Sequence, residues 1–308
     1  MGQKDLTAKD LESRAEVFAD IINALIYEGK QVVLPEQLQP APTESLYESI
    51  TEELDGKSGE KAYRQLHNQY NDISKYEIEK QKIKIQYVLE NESGENYRLI
   101  LRKAGYEGAV YRGEYDGKQI YPVVILVLYW GDKNWKPPLG LHELFKDRLT
   151  DVAVRKYVDN IRLHVFPMAH LPEGIRRWFR SDMRIIVDYL AEGASYEPTE
   201  QVIKYIGPTM RLLYAITGEK EVLDMIADMQ CRQEKGEEVR MGEYYITKCV
   251  RQSRQQGIQE GMKEGIQQGM ERISSLMRIL LDSGRNEDVK RSAEDKEYRE
   301  KLLREFNL

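Results

Sequence analysis

The sequence predicts an α/β protein: a mixed β-sheet flanked by helices, followed by an all-helical C-terminal extension. Residues 123–129 read VVILVLY, a continuous β-prone run that is typical of a strand buried on both faces. Further strand candidates occupy residues 73–79, 83–89 and 161–166, and helical patterns separate them. From about residue 170 onward only helical patterns remain. Strands interleaved with helices in this way favour a sheet covered on both faces.

The first element is predicted to be one amphipathic helix. A segment resembling a capping box begins at Thr7, and apolar residues follow at helical spacing until Gly29. The polar side carries Glu16 and Asp20, one turn apart, which either reach a neighbouring acidic site or form the solvent-exposed face. Residues 34–58 then contain three prolines among mixed polar residues, which predicts a surface excursion with little regular structure.

The next two strand candidates are predicted to pair as a hairpin that turns through residues 80–82. A register centred on residue 81 sets Asp72 directly opposite Glu90. Directly opposed residues in an antiparallel pair have Cβ atoms about 4.5 to 5.5 Å apart. Because side chains in a strand alternate with period 2, Glu92 shares the face of Glu90. The sequence therefore predicts a group of carboxylates at one end of this hairpin.

These carboxylates have two interpretations. Like charges about 4 Å apart repel by roughly 1 kcal/mol in bulk water and about 4 kcal/mol at an effective dielectric constant of 20. Either one group is protonated or a cation lies between them, and Mg²⁺ favours carboxylates, waters and phosphate oxygens as ligands. The alternative is a solvated surface, since 32% of the residues are charged and the turn has no Asn-Gly pair to fix its register.

Two groups of basic residues are candidates for contact with nucleic acid. The first lies on and after a helix predicted over residues 97–110, and the second recurs at every fourth position of a helix predicted over residues 173–191. The groups are Arg98, Arg102, Lys103 and Arg112, and Arg176, Arg180 and Arg184. For both, the alternative is a solvated helix face. A last helix of this region is predicted over residues 200–215, with a kink at Gly207-Pro208.

The C-terminal tail contains the one internal repeat, a glycine at every fourth position followed each time by Ile or Met. The glycines are Gly257, Gly261, Gly265 and Gly269. Each Gly costs a helix about 0.8 to 1 kcal/mol relative to Ala. The pattern therefore indicates either a helix that self-associates closely through the glycine strip or a weakly helical linker.

Composition limits the class of protein. A chain of 308 residues with 41% hydrophobic content can bury one sizeable core and a small second one. The two cysteines form no zinc pattern with the histidines, and the longest apolar run is too short for a membrane helix, so a cytoplasmic protein without a membrane partner is expected. A net charge of −6 argues against broad adhesion to nucleic acid. We expect three regions: residues 1–195, 196–250 and 251–308.

Several blocks of the sequence resemble the recombination-promoting nuclease family, whose members are also described as transposases, within the PD-(D/E)XK nuclease superfamily. The blocks are AEVFADIINALIYEGKQVV, YND before the hairpin, QYVLENESGENYRLILRKAGY and IYPVVILVLYWGDKNWKPPLGLHELF. They span roughly residues 12 to 190. The resemblance implies a mixed sheet flanked by helices and DNA cleavage that depends on Mg²⁺ or Mn²⁺, in the service of recombination or transposition.

Carried over residue by residue, the resemblance also implies a site. Asp72 matches the first metal-binding acid, Glu90 matches the second, and the backbone carbonyl of Asn91 is a further expected ligand. Glu16 matches the acid on the first helix, which supports the metal or its water. The basic groups on the two helices described above would hold the DNA backbone.

The chain departs from the family at one position of the implied site. Glu92 stands where the superfamily has Lys and this family usually has Gln. An ionised carboxylate donates no hydrogen bond to the attacking water, so Glu92 either recruits a second metal ion or marks a weakened or inactive enzyme. The alternative function is therefore a catalytically inactive DNA-binding or scaffold protein that oligomerises through its helical tail.

Overall fold

The computed structural model describes residues 3–53, 61–70, 72–115, 117, 119–197, 200–243, 246–306 and 308. The chain forms two compact units, Met1–Tyr244 and Tyr245–Leu308. The first unit is an α/β structure with a mixed sheet flanked by helices, which confirms the predicted class, and the second is helical. The helices of residues 206–234, predicted as part of a separate extension, belong to the same unit as the sheet.

The main sheet has five strands in the order β1-β4-β5-β6-β7. Strand β4 pairs antiparallel with β1 and β5, whereas β6 pairs parallel with β5 and β7. The strands are β1 (Leu38–Pro40), β4 (Ile73–Glu79), β5 (Lys82–Glu92), β6 (Val123–Tyr129) and β7 (His164–Pro167). The bounds of β6 are those predicted, and the strand is buried along nearly its whole length, as its continuous apolar run indicated.

A separate two-stranded sheet is formed by β2 (Glu44–Glu53) and β3 (Lys61–Tyr70). The two strands pair antiparallel in a regular register from one end to the other. The prediction of little regular structure over residues 34–58 is therefore wrong. The prolines that suggested a loop all precede β2, and the mixed polar residues of β2 lack the apolar alternation by which a strand is recognised.

Ten α-helices of the first unit lie in the part of the chain that the structure describes. They are α1 (Gln3–Glu12), α2 (Ala15–Ile26), α3 (Leu99–Tyr115), α4 (Leu141–Leu144), α5 (Val152–Arg155), α6 (Glu173–Arg176), α7 (Met183–Glu192), α8 (Ile206–Thr217), α9 (Glu221–Asp224) and α10 (Ile226–Glu234). None of the described helices has the length and apolar content that crossing a bilayer requires.

Three helix predictions need correction. The single N-terminal helix is two helices, because the chain breaks at Ser13-Arg14 between α1 and α2. The helix predicted over residues 173–191 is likewise interrupted between α6 and α7. Pro208 does not kink α8 but lies in its first turn, where an amide hydrogen has no helical partner in any case.

Helix α3 covers one face of the main sheet. Tyr106 of α3 packs against Val88, Val123 and Ile125, and the helix's first turn packs against Val127 and Leu163. On the other face, α1 lies against β5 and against α8. The carboxyl end of β5 is therefore enclosed between the N-terminal turns of α3 and helix α1.

The second unit consists of α11 (Ile246–Asp282), α12 (Asn286–Glu294) and α13 (Lys296–Glu305). Its small core contains Leu276, Leu280, Leu302 and Leu303, so the last turns of α11 are packed within the unit. Earlier in α11, a Cβ atom added at Gly261, Gly265 or Gly269 would meet nothing within 4 Å among the described residues. All four repeat glycines lie within the continuous helix α11, so the repeat is not an irregular linker.

The hairpin between β4 and β5 has a two-residue turn, Lys80-Gln81, rather than the three-residue turn predicted. Both residues have positive φ, 50° and 62°, as a type I′ turn requires. The left-handed region costs a residue with a Cβ atom about 1–2 kcal/mol. The predicted register holds for residues 73–77, and a bulge between Glu77 and Ile78 shifts it by one residue near the turn.

We expect the double substitution Lys80→Asn with Gln81→Gly to raise the free energy of unfolding by about 1 kcal/mol, because Asn and Gly adopt left-handed backbone at lower cost. Both positions are exposed, so the change removes no packing. Urea unfolding of wild type and variant measures the difference. The matched control, both residues changed to Ala, keeps the Cβ atoms and should give no gain. A gain in the Ala control would contradict the conformational explanation.

Candidate functional site

The end of β5 and the start of β4 bring three acidic residues together. Because the strands are antiparallel and Ile73 pairs with Leu89, Asp72 lies one step beyond the ladder beside Glu90. The backbone N–H of Asn91 donates a hydrogen bond to Asp72 Oδ2 at 2.6 Å, which holds that carboxylate at the strand end. Electrostatic repulsion from Asp72 reaches both Glu90 and Glu92. Asp72 and Glu90 therefore lie side by side on the register that the sequence predicted.

On the face of β5 that α3 covers, one arginine forms ion pairs with two glutamates. The guanidinium of Arg102 contacts Glu90 Oε2 and lies 3.6 Å from Glu92 Oε1. Asn96 Nδ2 also donates to Glu92 Oε1, at 3.3 Å. Glu90 is 4% exposed, whereas about a third of the Arg102 side chain is exposed. The cation of this pair can move into solvent, and the carboxylate of Glu90 cannot.

Burial is the largest influence on the pKa values of Glu90 and Glu92. It raises the pKa of Glu90 to about 8, against the lowering effect of Arg102 and with a further increase from Asp72 and Glu92. The pKa of Glu92 is also raised, first by burial, while Arg102 and Asn96 oppose the increase and Asp72 adds to it. One guanidinium therefore does not neutralise the group, and additional positive charge would stabilise it.

On the α1 face, the side chain of Asn91 connects the sheet to a fully buried glutamate. Asn91 Nδ2 donates to Glu12 Oε2 at 2.7 Å, and Trp130 Nε1 donates to Asn91 Oδ1 at 2.5 Å. The other carboxylate oxygen of Glu12, Oε1, has no hydrogen-bond partner among the described residues. Burial raises the pKa of Glu12 to about 8, and Asp72 contributes to the increase.

Two more residues of α1 complete the group. Lys9 Nζ lies 2.7 Å from Asp72 Oδ1, and the hydroxyl of Ser93 donates to Asp5. Asp5 also repels Glu12 and Glu92 across the strand end. The acidic residues on both faces of β5 thus interact, with Asp72 between them.

We call this group the carboxylate cluster: Asp5, Glu12, Asp72, Glu90 and Glu92. Among the residues that the structure describes, two cations, Lys9 and Arg102, pair with members of the cluster, so these seven side chains would carry an excess of three negative charges if all were ionised. Protons or a divalent cation can supply the missing charge. Its ligand atoms are carboxylate oxygens, which suit hard ions such as Mg²⁺ and Mn²⁺ rather than zinc or copper.

The arrangement of the side chains is that of ion pairs. Among the described residues, no three His, Cys, Asp or Glu side chains are arranged as a ready-made metal site. Lys9 and Arg102 lie against the oxygens of Asp72 and Glu90 that an ion would contact. The unpartnered oxygen of buried Glu12 and the raised pKa values nevertheless fit a group that gains from a divalent ion. Two carboxylates with waters and phosphate oxygens suffice for Mg²⁺.

The structure does not bring Glu16 to this cluster. Its carboxylate contacts Lys204 Nζ and accepts a hydrogen bond from Tyr205 Oη at 3.0 Å, and these partners lower its pKa. The break at Ser13-Arg14 between α1 and α2 explains the difference. A continuous helix would place Glu16 one turn beyond Glu12 on the same face, but the break redirects α2.

The predicted arginine stripe after residue 173 is also absent. Arg176 is buried in ion pairs with Asp188 at 2.7 Å and Glu192 at 2.8 Å, and Arg184 contacts the same Asp188. Arg180 is exposed, while its backbone N–H binds a buried carboxylate on α2. Because the helix is interrupted, the three residues do not share one face, and two of them already neutralise acidic partners.

The first basic group divides differently. Arg98 is exposed and lies one helical turn before Arg102, whose N–H donates to the Arg98 carbonyl. Lys103 is nearly buried and paired with Glu107, so it is not available to a phosphate. Arg112 is exposed near the far end of α3. Of this group, Arg102 therefore contacts Glu90, while Lys9 of α1 contacts Asp72, and exposed Arg98 lies one turn from Arg102.

The sequence prediction missed the contribution of α1. Asp5, Lys9 and Glu12 are spaced i, i+4 and i+7, which places them on one face of a helix. That spacing was available in the sequence, but the predicted helix began at Thr7 and excluded Asp5. The tyrosine and glutamate residues of a second cleft, described below, gave no sequence signal.

Comparison of the chain with protein-family models, curated proteins and solved structures finds no match.

Proposed function

We propose that this protein is a Mg²⁺-dependent DNA endonuclease with a core of the PD-(D/E)XK type, acting in the cytoplasm in recombination or transposition. The observation that carries the proposal is the convergence of Asp72, Glu90 and Glu92 at one strand end, with too little positive charge to balance them. The topology also supports the proposal: β5 pairs antiparallel with β4 and parallel with β6, and Glu90 and Glu92 lie at the carboxyl end of β5. The blocks of resemblance cover the same elements.

In this proposal Asp72 and Glu90 hold Mg²⁺ or Mn²⁺. An ion held there would neutralise the scissile phosphate and lower the pKa of a water ligand. Asn91 holds Asp72 through its backbone N–H and holds Glu12 through its side chain, so it positions the acidic residues from both sides of β5. Lys9 pairs with Asp72 Oδ1 at 2.7 Å and holds that carboxylate close to the strand end.

Arg102 and Arg98 are the proposed phosphate ligands. Arg102 is partly exposed and contacts Glu90 only through its flexible end, so it can exchange a carboxylate for a phosphate oxygen of DNA. Arg98 is exposed one turn away and extends the basic surface along the N-terminal part of α3. Both contacts would position the backbone without reading base sequence.

Glu92 is proposed to accept a proton from the attacking water or to bind a second ion, since its pKa is raised above that of an exposed glutamate. We expect Glu92→Gln to lower the rate of plasmid nicking by at least about tenfold. The substitution preserves an acceptor for Asn96 and removes only the charge. Glu92→Lys introduces the superfamily residue at this position, and we expect its nicking rate also to stay below that of wild type.

The direct test is nicking of supercoiled plasmid in Mg²⁺, Mn²⁺ or Ca²⁺, and in EDTA. Cleavage in Mg²⁺ or Mn²⁺ that EDTA abolishes supports the proposal. If wild type is inert with every ion and Glu92→Gln or Glu92→Lys gains activity, the chain is a decayed nuclease. If all three proteins are inert and no ion changes the melting temperature, the hydrolytic proposal is wrong. Strand transfer requires a separate assay with two labelled DNA substrates.

The second candidate function is a catalytically inactive DNA-binding or scaffold protein that self-associates through α11. Three large apolar side chains follow the open glycine positions of α11 and are more than half exposed: Met262, Ile266 and Met270. An exposed apolar stripe of this kind is suited to a second helix. This function predicts retardation of DNA in a gel shift without cleavage, and a mass above that of one chain by light scattering.

A further inference from the structure

A cleft of about 450 Å³ lies between α3 and the main sheet, upstream of the carboxylate cluster along β5. Gln86 in the cleft and Glu90 in the cluster are four residues apart on the same face of β5, which corresponds to about 13 Å along a strand. A volume of several hundred Å³ is typical of small-molecule sites. The residues that matter here are Tyr76, Gln86, Tyr106, Gly113, Glu114 and Tyr121.

Two buried oxygens of the cleft lining are without partners. Glu114 is 6% exposed; its Oε2 accepts a long hydrogen bond from Tyr121 N at 3.4 Å, the side chain of Tyr121 also interacts with the carboxylate, and Oε1 has no partner among the described residues. Gln86 is 2% exposed; its Nε2 donates to Ser74 Oγ at 2.8 Å, and its Oε1 is likewise unpartnered within the described chain. No described cation pairs with Glu114, and a buried carboxylate without one is unfavourable.

Three tyrosine rings form the walls. The rings of Tyr76 and Tyr121 are 5.5 Å apart at 75°, with their hydroxyls 3.3 Å apart. Tyr106 is buried and fixed by a hydrogen bond from its hydroxyl to the Pro42 carbonyl at 3.3 Å. Aromatic faces attract cations, particularly where water is excluded. Both the carboxylate and the rings therefore favour a positively charged guest.

Small residues on α3 and just after it keep the space open. Ala109 and Gly113 of α3 and Gly117 beyond its end line the cleft at intervals of four residues. A Cβ atom at Gly113 would meet nothing within 4 Å among the described residues, so a larger side chain there would extend into open space without disturbing the helix. Gly108 on the same helix also has open space around it, but it does not line the cleft.

We propose that this cleft binds an organic cation with N–H donors: a guanidinium or primary ammonium group on a short chain. The two unpartnered oxygens, Gln86 Oε1 and Glu114 Oε1, both accept hydrogen bonds, and the carboxylate of Glu114 favours a positive charge. A cation that carries N–H groups satisfies both acceptors and the carboxylate charge. A neutral ligand would leave the carboxylate uncompensated. The group belongs either to a free amine or to an Arg or Lys side chain of a peptide. This site is distinct from the carboxylate cluster and does not depend on nuclease activity.

The test is titration calorimetry of the full chain with n-butylguanidinium and with n-butylurea, its neutral analogue of similar shape. We expect the cation to bind and the urea not to. Glu114→Gln should weaken cation binding by at least about tenfold, because it removes the charge-assisted hydrogen bonds. Gly113→Leu should abolish binding by filling the cleft, whereas Gly108→Leu should bind like wild type. Asp72→Asn should also bind like wild type.

Agmatine and a blocked Gly-Arg-Gly peptide distinguish the two sources of the cation. Tighter binding of agmatine assigns a free amine, and tighter binding of the peptide assigns a protein side chain. Binding that is equal for n-butylguanidinium and n-butylurea, or that survives both Glu114→Gln and Gly113→Leu, would overturn the proposal. So would the absence of heat with every cation, provided that circular dichroism shows wild type to be folded.

Discussion

Asp72→Asn is expected to lower metal-dependent plasmid nicking by at least about 100-fold, the largest loss of any single substitution in the carboxylate cluster. The charge of Asp72 acts on Glu12 on one face of β5 and on both Glu90 and Glu92 on the other. Asparagine has nearly the same shape and can still accept the hydrogen bond from Asn91 N. The variant therefore removes a charge and a metal ligand while leaving the strand end in place.

The control for this variant is Asp147→Asn, an exposed aspartate outside the cluster, which should nick DNA at the wild-type rate. Gel-shift measurements on the same proteins separate binding from chemistry. Asp72→Asn should retain DNA, because Arg98 and Arg102 are unchanged. If Asp72→Asn cleaves as fast as Asp147→Asn, then Asp72 does not hold the ion and the proposed site is wrong.

The free energy of unfolding is expected to fall by on the order of 3 kcal/mol for each of two buried glutamates as the pH rises from 5 to 8 in the absence of divalent ions, since one pKa unit corresponds to about 1.4 kcal/mol. Burial raises the pKa of both Glu12 and Glu90 to about 8. In the unfolded chain these groups lose their protons near their ordinary pKa of about 4.3. Between the two values the folded protein holds more protons, so increasing pH favours unfolding.

Glu12→Gln tests the origin of this pH dependence. The amide resembles the protonated acid and can accept the hydrogen bond from Asn91 Nδ2. We expect the variant to match wild type near pH 5 and to be more stable than wild type at pH 8. The exposed Glu79→Gln serves as the control and should follow the wild-type curve. Urea unfolding at several pH values measures both, and parallel curves for Glu12→Gln and wild type would contradict the assignment.

A divalent ion should reverse the loss of stability at high pH. At pH 8 the cluster is short of protons, so Mg²⁺ binds and raises the melting temperature, whereas at pH 5 protons already supply the charge. Asp72→Asn should lose the effect of Mg²⁺. A pH-dependent stability that Mg²⁺ leaves unchanged would mean that protons alone balance the cluster, and it would favour the inactive scaffold over the nuclease.

The elements that sequence patterns predicted best are those whose side chains report their surroundings directly. The apolar run at Val123–Tyr129 has the bounds of β6, because a strand buried on both faces needs apolar residues throughout. The hairpin register that places Asp72 beside Glu90 also matches the prediction, because the bulge between Glu77 and Ile78 offsets the one-residue error in the predicted turn. The polar ribbon of β2 and β3 was missed because its pairing rests on backbone hydrogen bonds, which any sequence can make.

The amino-acid sequence by itself determined the α/β class, the central strand, and the meeting of Asp72, Glu90 and Glu92, because local periodicity specifies them. Only the tertiary structure decided that Glu12 rather than Glu16 joins them, since a two-residue break in the first helix redirects everything after it. It also decided which basic side chains are already paired within the protein, because Arg176 and Lys103 meet acidic partners that the sequence analysis did not identify. Burial and charge balance depend on how distant segments pack, so the three-dimensional fold alone reveals them.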